Sequence, residues 1–358
     1  MLRPEAVAPP TPGAQYLAEI REQPAAILRL LEHRSEYARV AAAATDRDGG
    51  LIRMVGHGSS DNAASYGVYA FGLLPARTAM RDSISLSVYY GARLDLAHST
   101  VIALSQSGQT PDVLEYVTRA RREGAFTIAV TNEPDSELAL AADALLPLAA
   151  GPEQAVAATK TYVTQLAALA LLAGMLAGRG DEIAAALETV AADLEAALPA
   201  LEHAAASIAV PFASIGRMFA IGRGPEFATA REIALKLLET CRISAEPLTA
   251  TDLAHGPVAA LDPLFPVWAV ATDDETLDVV VEAAARVRAA GATLIASGGA
   301  ADAIADAQYR LPAPRPPMPL LAPLLSVVPG QLFAGAVARA KGLDPDRPRG
   351  LSKVTLAR

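Results

Sequence analysis

Val101-Ile102-Ala103-Leu104-Ser105-Gln106-Ser107-Gly108-Gln109-Thr110 is an apolar run that passes straight into a Ser/Gly/Thr turn, and Pro111-Asp112-Val113-Leu114 then opens a helical pattern. A strand that feeds a helix through a short polar turn is the building unit of a parallel α/β sheet. The start of such a helix leaves backbone N–H groups without partners and carries partial positive charge, so an oxyanion placed there gains hydrogen bonds and a favourable dipole. The hydroxyls of Ser105, Ser107 and Thr110 add donors, with Gln106 between them, and Gly108 lets the backbone come close. The loop has no Lys and lacks the GxxxxGK[ST] spacing of nucleotide loops, which favours a small phosphate monoester over ATP. The plainer reading is a turn capped by Ser and Thr for stability alone. Three hydroxyls and two glutamines in so short a loop weigh against it.

Working outward, the same plan occurs twice. Met54-Val55-Gly56-His57-Gly58-Ser59 and Ala220-Ile221-Gly222-Arg223-Gly224-Pro225 each end a strand in Gly-X-Gly, 166 positions apart. Thr110-Pro111-Asp112-Val113 through Gly124-Ala125-Phe126-Thr127-Ile128 is echoed by Thr276-Leu277-Asp278-Val279 through Gly291-Ala292-Thr293-Leu294-Ile295, at an offset of 166 rising to 167. One inserted residue explains the slip, and the chain reads as a duplicated α/β domain. The β-rich runs Val101–Leu104, Phe126–Val130, Val267–Ala271 and Thr293–Ala296 alternate with helical periods, the pattern of a parallel sheet covered on both faces. Ligands in such sheets sit at the carboxyl ends of strands, where Gly58-Ser59-Ser60 and Ser105–Thr110 both fall. In the second copy the corresponding loop, Ala271-Thr272-Asp273-Asp274-Glu275-Thr276, carries three carboxylates that would repel a phosphate, so only the first copy is expected to hold one.

The boundaries follow from composition. Residues 1–34 form an N-terminal helical arm, helical from Gly13 to Arg34. The first domain runs over 35–190, the Ala-rich helix Asp181–Leu201 joins the two, the second domain runs over 200–340, and 341–358 is a polar tail carrying Lys353. A length of 358 residues, 52% hydrophobic and 19% charged, suits two packed domains. The net charge of −9 argues against nucleic acid or an anionic membrane as partner. One cysteine, Cys241, cannot form an internal disulfide, and no Cys/His cluster has metal spacing, so neither metal nor cofactor is expected. The opening residues to Pro12 show no signal-peptide pattern, and the apolar stretches Leu166–Gly178 and Met318–Ala336 are too short or broken by Pro319, Pro323 and Pro329 to span a membrane. A cytoplasmic protein is expected.

The chemistry-bearing residues lie in the second half. From Pro225-Glu226 to Thr240 a helix is expected, with Glu232, Lys236 and Glu239 on one face and Ile233, Leu237 and Leu238 on another. Taken alone this is a surface ion-pair face worth about 0.3–0.5 kcal/mol. The next segment, Ala245-Glu246-Pro247-Leu248-Thr249-Ala250-Thr251-Asp252-Leu253-Ala254-His255-Gly256-Pro257, places a histidine in a Gly-Pro loop, where it could move protons near neutral pH or simply be a loop residue.

Seven motifs in one order carry a resemblance: Glu22-Gln23-Pro24, Gly58-Ser59-Ser60, Ser105 to Thr110, Ala157-Ala158-Thr159-Lys160, Glu232 to Glu239, His255-Gly256-Pro257, and Pro345-Asp346-Arg347-Pro348-Arg349-Gly350-Leu351-Ser352-Lys353. Together they resemble the sugar-isomerase (SIS) family, in particular the isomerase half of glucosamine-6-phosphate synthase and the SIS-type glucosamine-6-phosphate deaminases. The resemblance implies two tandem SIS domains of α/β fold, each a parallel sheet flanked by helices in a flavodoxin-like or Rossmann-like arrangement. It implies that Ser105, Gln106, Ser107 and Thr110 hold a sugar phosphate, that Gly58, Ser59 and Ser60 border it, and that Val156 lines the site through its backbone. Glu239 would shuttle the proton between C1 and C2, His255 would open the sugar ring, Lys353 would form an imine with the sugar carbonyl, and Lys236 would sit beside them. Ala158 stands where the family pattern has a serine, and Asp252-Leu253-Ala254 stand where the synthase has Glu-Leu-Lys before the histidine.

The resemblance also implies a homodimer with a shared active site, in which the His loop reaches a neighbour's cavity. The chain opens on Met1-Leu2 rather than on a glutaminase with a nucleophilic cysteine, and from this we expect the reaction to run toward deamination: glucosamine 6-phosphate to fructose 6-phosphate and ammonia. Galactosamine-6-phosphate deamination, fructosamine-6-phosphate deglycation, synthesis from free ammonia and a non-catalytic sugar-phosphate sensor remain open alternatives.

Overall fold

The structure, a computed structural model, describes residues 11–46 and 50–353; the opening of the expected arm and the last five residues of the expected tail lie outside them. Among the described residues, ten strands form two five-stranded, all-parallel sheets. The first contains β1 (Leu51–Val55), β2 (Thr78–Arg81), β3 (Ser99–Leu104), β4 (Phe126–Thr131) and β5 (Ala144–Pro147) in the order β2-β1-β3-β4-β5. The second contains β6 (Arg217–Gly222), β7 (Ser244–Thr249), β8 (Pro266–Val270), β9 (Thr293–Gly298) and β10 (Tyr309–Pro312), and its order β7-β6-β8-β9-β10 repeats the first. This is the expected α/β architecture in two copies. Every residue of β3, β4 and β8 is buried, which is why these strands read as continuous apolar runs rather than alternating ones.

The strand order reverses direction between β1 and β3, and again between β6 and β8, and a crevice opens at such switch points beyond the carboxyl ends of the strands. The first is where the Ser-rich loop emerges from β3 and the helix Ser59–Leu73 follows β1.

Helices fill the space between and around the sheets. A central hydrophobic core draws on both repeats: Tyr16 and Ile27 from the arm, Ile102 and Ile128 from the first sheet, Leu166 and Leu169 from helix Lys160–Leu176, Ile233 from helix Glu226–Cys241, and Phe333 from helix Ala322–Ala340. Smaller clusters cover the outer faces, around Val101 and Tyr116 in the first repeat and around Val267 and Leu294 in the second. The arm is helical over Ala14–Arg21 and Gln23–Leu31, and a 30-residue helix, Gly180–Ala209, spans from one repeat to the next, longer at its C-terminal end than the expected Asp181–Leu201. Among the described residues one helical stretch, Pro319–Ala340, is long and apolar enough to cross a membrane by length and composition, and all of its apolar window is buried inside the fold.

The two copies turn from first strand to first helix on a glycine that has no room for a side chain. A Cβ on Gly56 would lie 2.9 Å from Ser60 Cβ and 3.0 Å from the Leu104 carbonyl oxygen; one on Gly222 would lie 2.4 Å from the Glu226 carbonyl oxygen. Gly56→Ala and Gly222→Ala should each lower stability by about 1–3 kcal/mol, as overpacking does. The larger loss is expected at Gly222, where the obstacle is closer. Gly216→Ala, with open space around it, should melt like the parent protein in the same calorimetric comparison.

Candidate active site

Three helix starts converge on the first switch point. Helix Ser59–Leu73 begins after Gly58, helix Pro111–Arg122 after Thr110, and helix Lys160–Leu176 after Thr159, and none of these preceding residues uses its side chain to cap the helix. The starts of helices Ser59–Leu73 and Pro111–Arg122 bring their partial positive charge to this place, while the start of helix Lys160–Leu176 is satisfied by the Glu153 carboxylate. A cavity of about 480 Å³ opens there.

The cavity is lined by Gly58, Ser59 and Ser60, by Ser105, Gln106, Ser107 and Thr110, by Val156 and Ala158, and by Glu239 and Lys353. Eleven of the thirteen positions singled out in the sequence thus line one cavity. Gly108, with φ of 61°, turns the Ser-rich loop back so that Ser105 Oγ accepts from the Gly108 N–H at 3.1 Å and lies 3.2 Å from Thr110 Oγ1. A Cβ on Gly108 would collide with Ser136 Oγ at 2.0 Å. Thr110, in the N-cap position, spends its hydroxyl on Ser105 instead of on the helix, which argues against a loop built only as a cap.

Lys236 lies beneath the cavity rather than on its wall, and it organises the charge there. Its ammonium is 2.6 Å from Glu239 Oε2 and 3.4 Å from Glu232 Oε1, and it donates to Ser59 Oγ at 3.3 Å. Glu232, wholly buried, also accepts from Ser59 Oγ at 2.8 Å and Asn62 Nδ2 at 2.8 Å. The surface ion pair allowed by helical spacing is corrected here: Glu232 and Lys236 are both in the interior, and Leu238, expected on the apolar face, is exposed. Burial by itself would favour the neutral amine, but the Glu239 and Glu232 carboxylates outweigh it and push the Lys236 ammonium above its ordinary value. Burial pushes Glu232 up, against the pull of Lys236.

The tail lysine is fixed in the same way. Lys353 Nζ donates to Glu153 Oε2 at 2.7 Å and to the Ala155 carbonyl at 2.7 Å. Glu153, fully buried beside the start of helix Lys160–Leu176, accepts from the N–H groups of Thr159 (3.0 Å) and Thr161 (3.1 Å) and from Thr161 Oγ1 (2.7 Å). Burial would raise this carboxyl, yet the Lys353 charge and these hydrogen bonds bring it below the usual carboxylate range. The backbone N–H of Val156 is occupied by the Asp346 carbonyl at 3.1 Å, so the tail also forms part of the wall. Glu19 of the arm accepts from Gln154 and Ala155 N–H, and Glu22 meets the buried Lys160 ammonium at 2.5 Å, which explains the weight of Glu22-Gln23-Pro24 in the sequence.

His255 is placed elsewhere. It ends the turn Asp252–His255 after β7, exposed, and does not line the cavity of its own chain. Four residues that the sequence reading passed over do contribute. Glu153 and Asn62 anchor Lys353 and Glu232, and His57, whose Nε2 lies 2.8 Å from Asp112 Oδ2, stands on the cavity wall with that carboxylate. His57 was legible as the residue inside Gly-X-Gly; Glu153 and Asn62 carried no spacing signal.

The second switch point is filled by the protein itself. Glu226, 166 positions after Ser60, accepts from Thr272 Oγ1 and Thr229 Oγ1, both at 2.5 Å, and burial raises its carboxyl. The hydroxyls of Thr229 and Thr272 are thus spent on an internal side chain.

The sequence pattern of the SIS domain matches residues 47–175 and 212–339. The chain belongs to the SIS-domain family. It is 36% identical over 357 residues to the glutamine–fructose-6-phosphate aminotransferase (isomerizing) of Leifsonia xyli subsp. xyli, covering 94% of this chain and 57% of that protein. The chain thus spans little more than half the length of that relative. Among solved SIS structures, a candidate phosphosugar isomerase from Silicibacter pomeroyi DSS-3 superimposes with a TM-score of 0.81 at 34% identity, covering 92% of this chain and 99% of that one. The C-terminal domain of glucosamine-fructose-6-phosphate aminotransferase from Francisella tularensis superimposes with a TM-score of 0.85 at 27% identity, covering 97% and 100%.

Because Lys236 is sealed between two carboxylates, Lys236→Met should leave Glu232 buried without its counter-charge and destabilise the protein by about 3–5 kcal/mol. Chemical denaturation would read the loss. A variant as stable as the parent would show that the charge cluster is dispensable to the fold.

Proposed function

We propose that this SIS protein is an amino-sugar-phosphate deaminase/isomerase that converts glucosamine 6-phosphate to fructose 6-phosphate and ammonia. The observation that carries the reading is that one cavity presents an uncapped, hydroxyl-lined helix start, the Glu239 carboxylate and the Lys353 ammonium together. A sensor of sugar phosphates needs the first of these and not the other two.

In this reading the phosphate sits in Ser105–Thr110, and its binding energy positions the far end of the sugar. Once the ring is open, the C2–H beside the C1 carbonyl is acidic. Glu239 takes that proton and returns it to C1, so the electron pair of the C2–H bond moves into an enolamine and then into a new C1–H bond, leaving an imine at C2. Water adds to this imine, the C–N bond breaks, and ammonia leaves with a ketone at C2. Lys353 supports the carbonyl carbon from the tail, as an ammonium beside the developing oxyanion or, after releasing a proton, as the amine that forms an imine. Lys236 holds Glu239 in place. No residue in this scheme calls for a metal or an organic cofactor.

His255, outside the cavity of its own chain, fits a ring-opening role if a second copy supplies it, and a homodimer with a shared site belongs to this reading, as does a cytoplasmic location. The likeness to isomerizing aminotransferases favours one second reading, the same carbon chemistry run from fructose 6-phosphate and ammonia toward the amino sugar.

Glu239→Gln keeps the size of the side chain and removes the base. Ammonia release from glucosamine 6-phosphate should fall by about 10²–10⁴ with substrate affinity retained, whereas near-parental turnover would place the base elsewhere. A parent protein that forms glucosamine 6-phosphate from fructose 6-phosphate and ammonia but does not release ammonia would establish the second reading. A shared site predicts that inactive Glu239→Gln and His255→Ala proteins, unfolded and refolded together, recover part of the lost activity. Mixtures as inactive as their components would overturn the shared site, and a His255→Ala protein as active as the parent would place His255 outside the reaction.

A further inference from the structure

A second concave site adjoins the first. Between the C-terminal end of helix Glu226–Cys241 and the tail lies a cleft of about 530 Å³ that shares Glu239 with the active-site cavity. Arg242 enters it from the helix, Arg347 and Arg349 from the tail. All three are exposed, and among the described residues none of their guanidinium groups makes an ion pair or hydrogen bond. In a chain of net charge −9, three unpaired guanidinium groups from segments a hundred residues apart meet in one hollow.

The carboxylates nearby do not neutralise them. Glu239 is committed to Lys236 at 2.6 Å, and Asp344 Oδ1 to the N–H groups of Gly13 (3.1 Å) and Asp346 (3.0 Å). Arg242 also closes its helix in the left-handed region, at φ 54° and ψ 37°, where glycine or asparagine is the usual residue. A charged side chain is kept at a position whose backbone disfavours it.

The tail around these arginines is a strap fixed at both ends. At one end the Asp346 carboxylate accepts from the N–H groups of Gly13 (3.1 Å), Gln15 (3.3 Å) and Tyr16 (2.6 Å). At the other, Lys353 is held by Glu153. Over 347–351 the backbone bonds Arg347 N–H to Asp344 O and Leu351 N–H to Pro348 O are local.

We propose that this cleft is a second anion site, which takes the phosphoryl group of a ligand no larger than a hexose phosphate and draws the strap 347–351 against helix Glu226–Cys241. Planar guanidinium groups match the oxygens of a phosphoryl group in paired hydrogen bonds, and the volume matches that of the substrate cavity. An anion bridging Arg242 to Arg347 and Arg349 ties down the segment that ends in Lys353, so occupancy favours the arrangement with Lys353 in the cavity. The site itself stands whether or not the deaminase reading does; only this consequence rests on Lys353 working there.

Two ligands test it, inorganic phosphate and sorbitol 6-phosphate, a hexose-sized phosphate monoester with no carbonyl to react. In calorimetric titration the parent chain should bind two equivalents of at least one of them, and the ligand that fills the second site should slow tryptic cleavage at Arg349-Gly350. A second event with phosphate alone marks the free ion as the ligand, and one with sorbitol 6-phosphate alone marks the ester. Arg242→Gln should weaken one event by about 10- to 100-fold, the worth of one charge-assisted hydrogen bond, and abolish the protection. Ser107→Ala should weaken the other event and leave the protection in place. Arg347→Gln, which leaves the helix end and the cleavage site intact, should reproduce Arg242→Gln. Titration of both arginine variants like the parent, or protection that survives in them, overturns the proposal; an unaffected Ser107→Ala protein instead overturns the cradle assignment.

Discussion

One buried ammonium couples the two repeats where the cavity forms. Lys236 belongs to the second repeat, yet its partners include Ser59 of the first, and Glu232 reaches across to Ser59 and Asn62. Charges taken out of water cost several kcal/mol each, and that cost is offset only if geometry and hydrogen bonding are complete. These contacts tie the start of helix Ser59–Leu73 to the C-terminal half of helix Glu226–Cys241 and hold the two in register. Glu239, one turn beyond Lys236, is placed on the cavity wall by that register.

The other wall depends on a second buried charge. Glu153 satisfies the start of helix Lys160–Leu176 and still retains an oxygen for Lys353. Its lowered carboxyl means that the pair adds stability above the pH range in which free carboxylates titrate and loses it only as pH falls through the depressed value. The tail is therefore held at neutral pH. Asp346 extends the effect by capping the arm, so that both ends of the described chain close the same site.

The duplicated fold put two switch points in one molecule, and the chain treats them oppositely. In the first, hydroxyls and helix starts face a cavity; in the second, Glu226 occupies Thr229 and Thr272. A carboxylate in place of a ligand removes the need for one, and the three acidic residues of the loop Ala271–Thr276 point the same way.

By itself the sequence determined the repeat and the parallel sheets, because each of their signals lies within a short segment: Gly56 and Gly222 each close a strand in Gly-X-Gly, and β3 and β4 are each one continuous apolar run. It also marked Glu239 and Lys353 through their motifs. Only the tertiary structure decided that Glu232 and Lys236 are interior, that His255 stands away from its own cavity, and that Glu153 and Asn62 complete the charge clusters. The physical reason is that helical spacing fixes which residues share a face but not what covers it. Burial of Lys236 depends on Ser59, 177 positions away, and the anchoring of Lys353 on Glu153, 200 positions away, contacts that only packing of the two repeats brings into being.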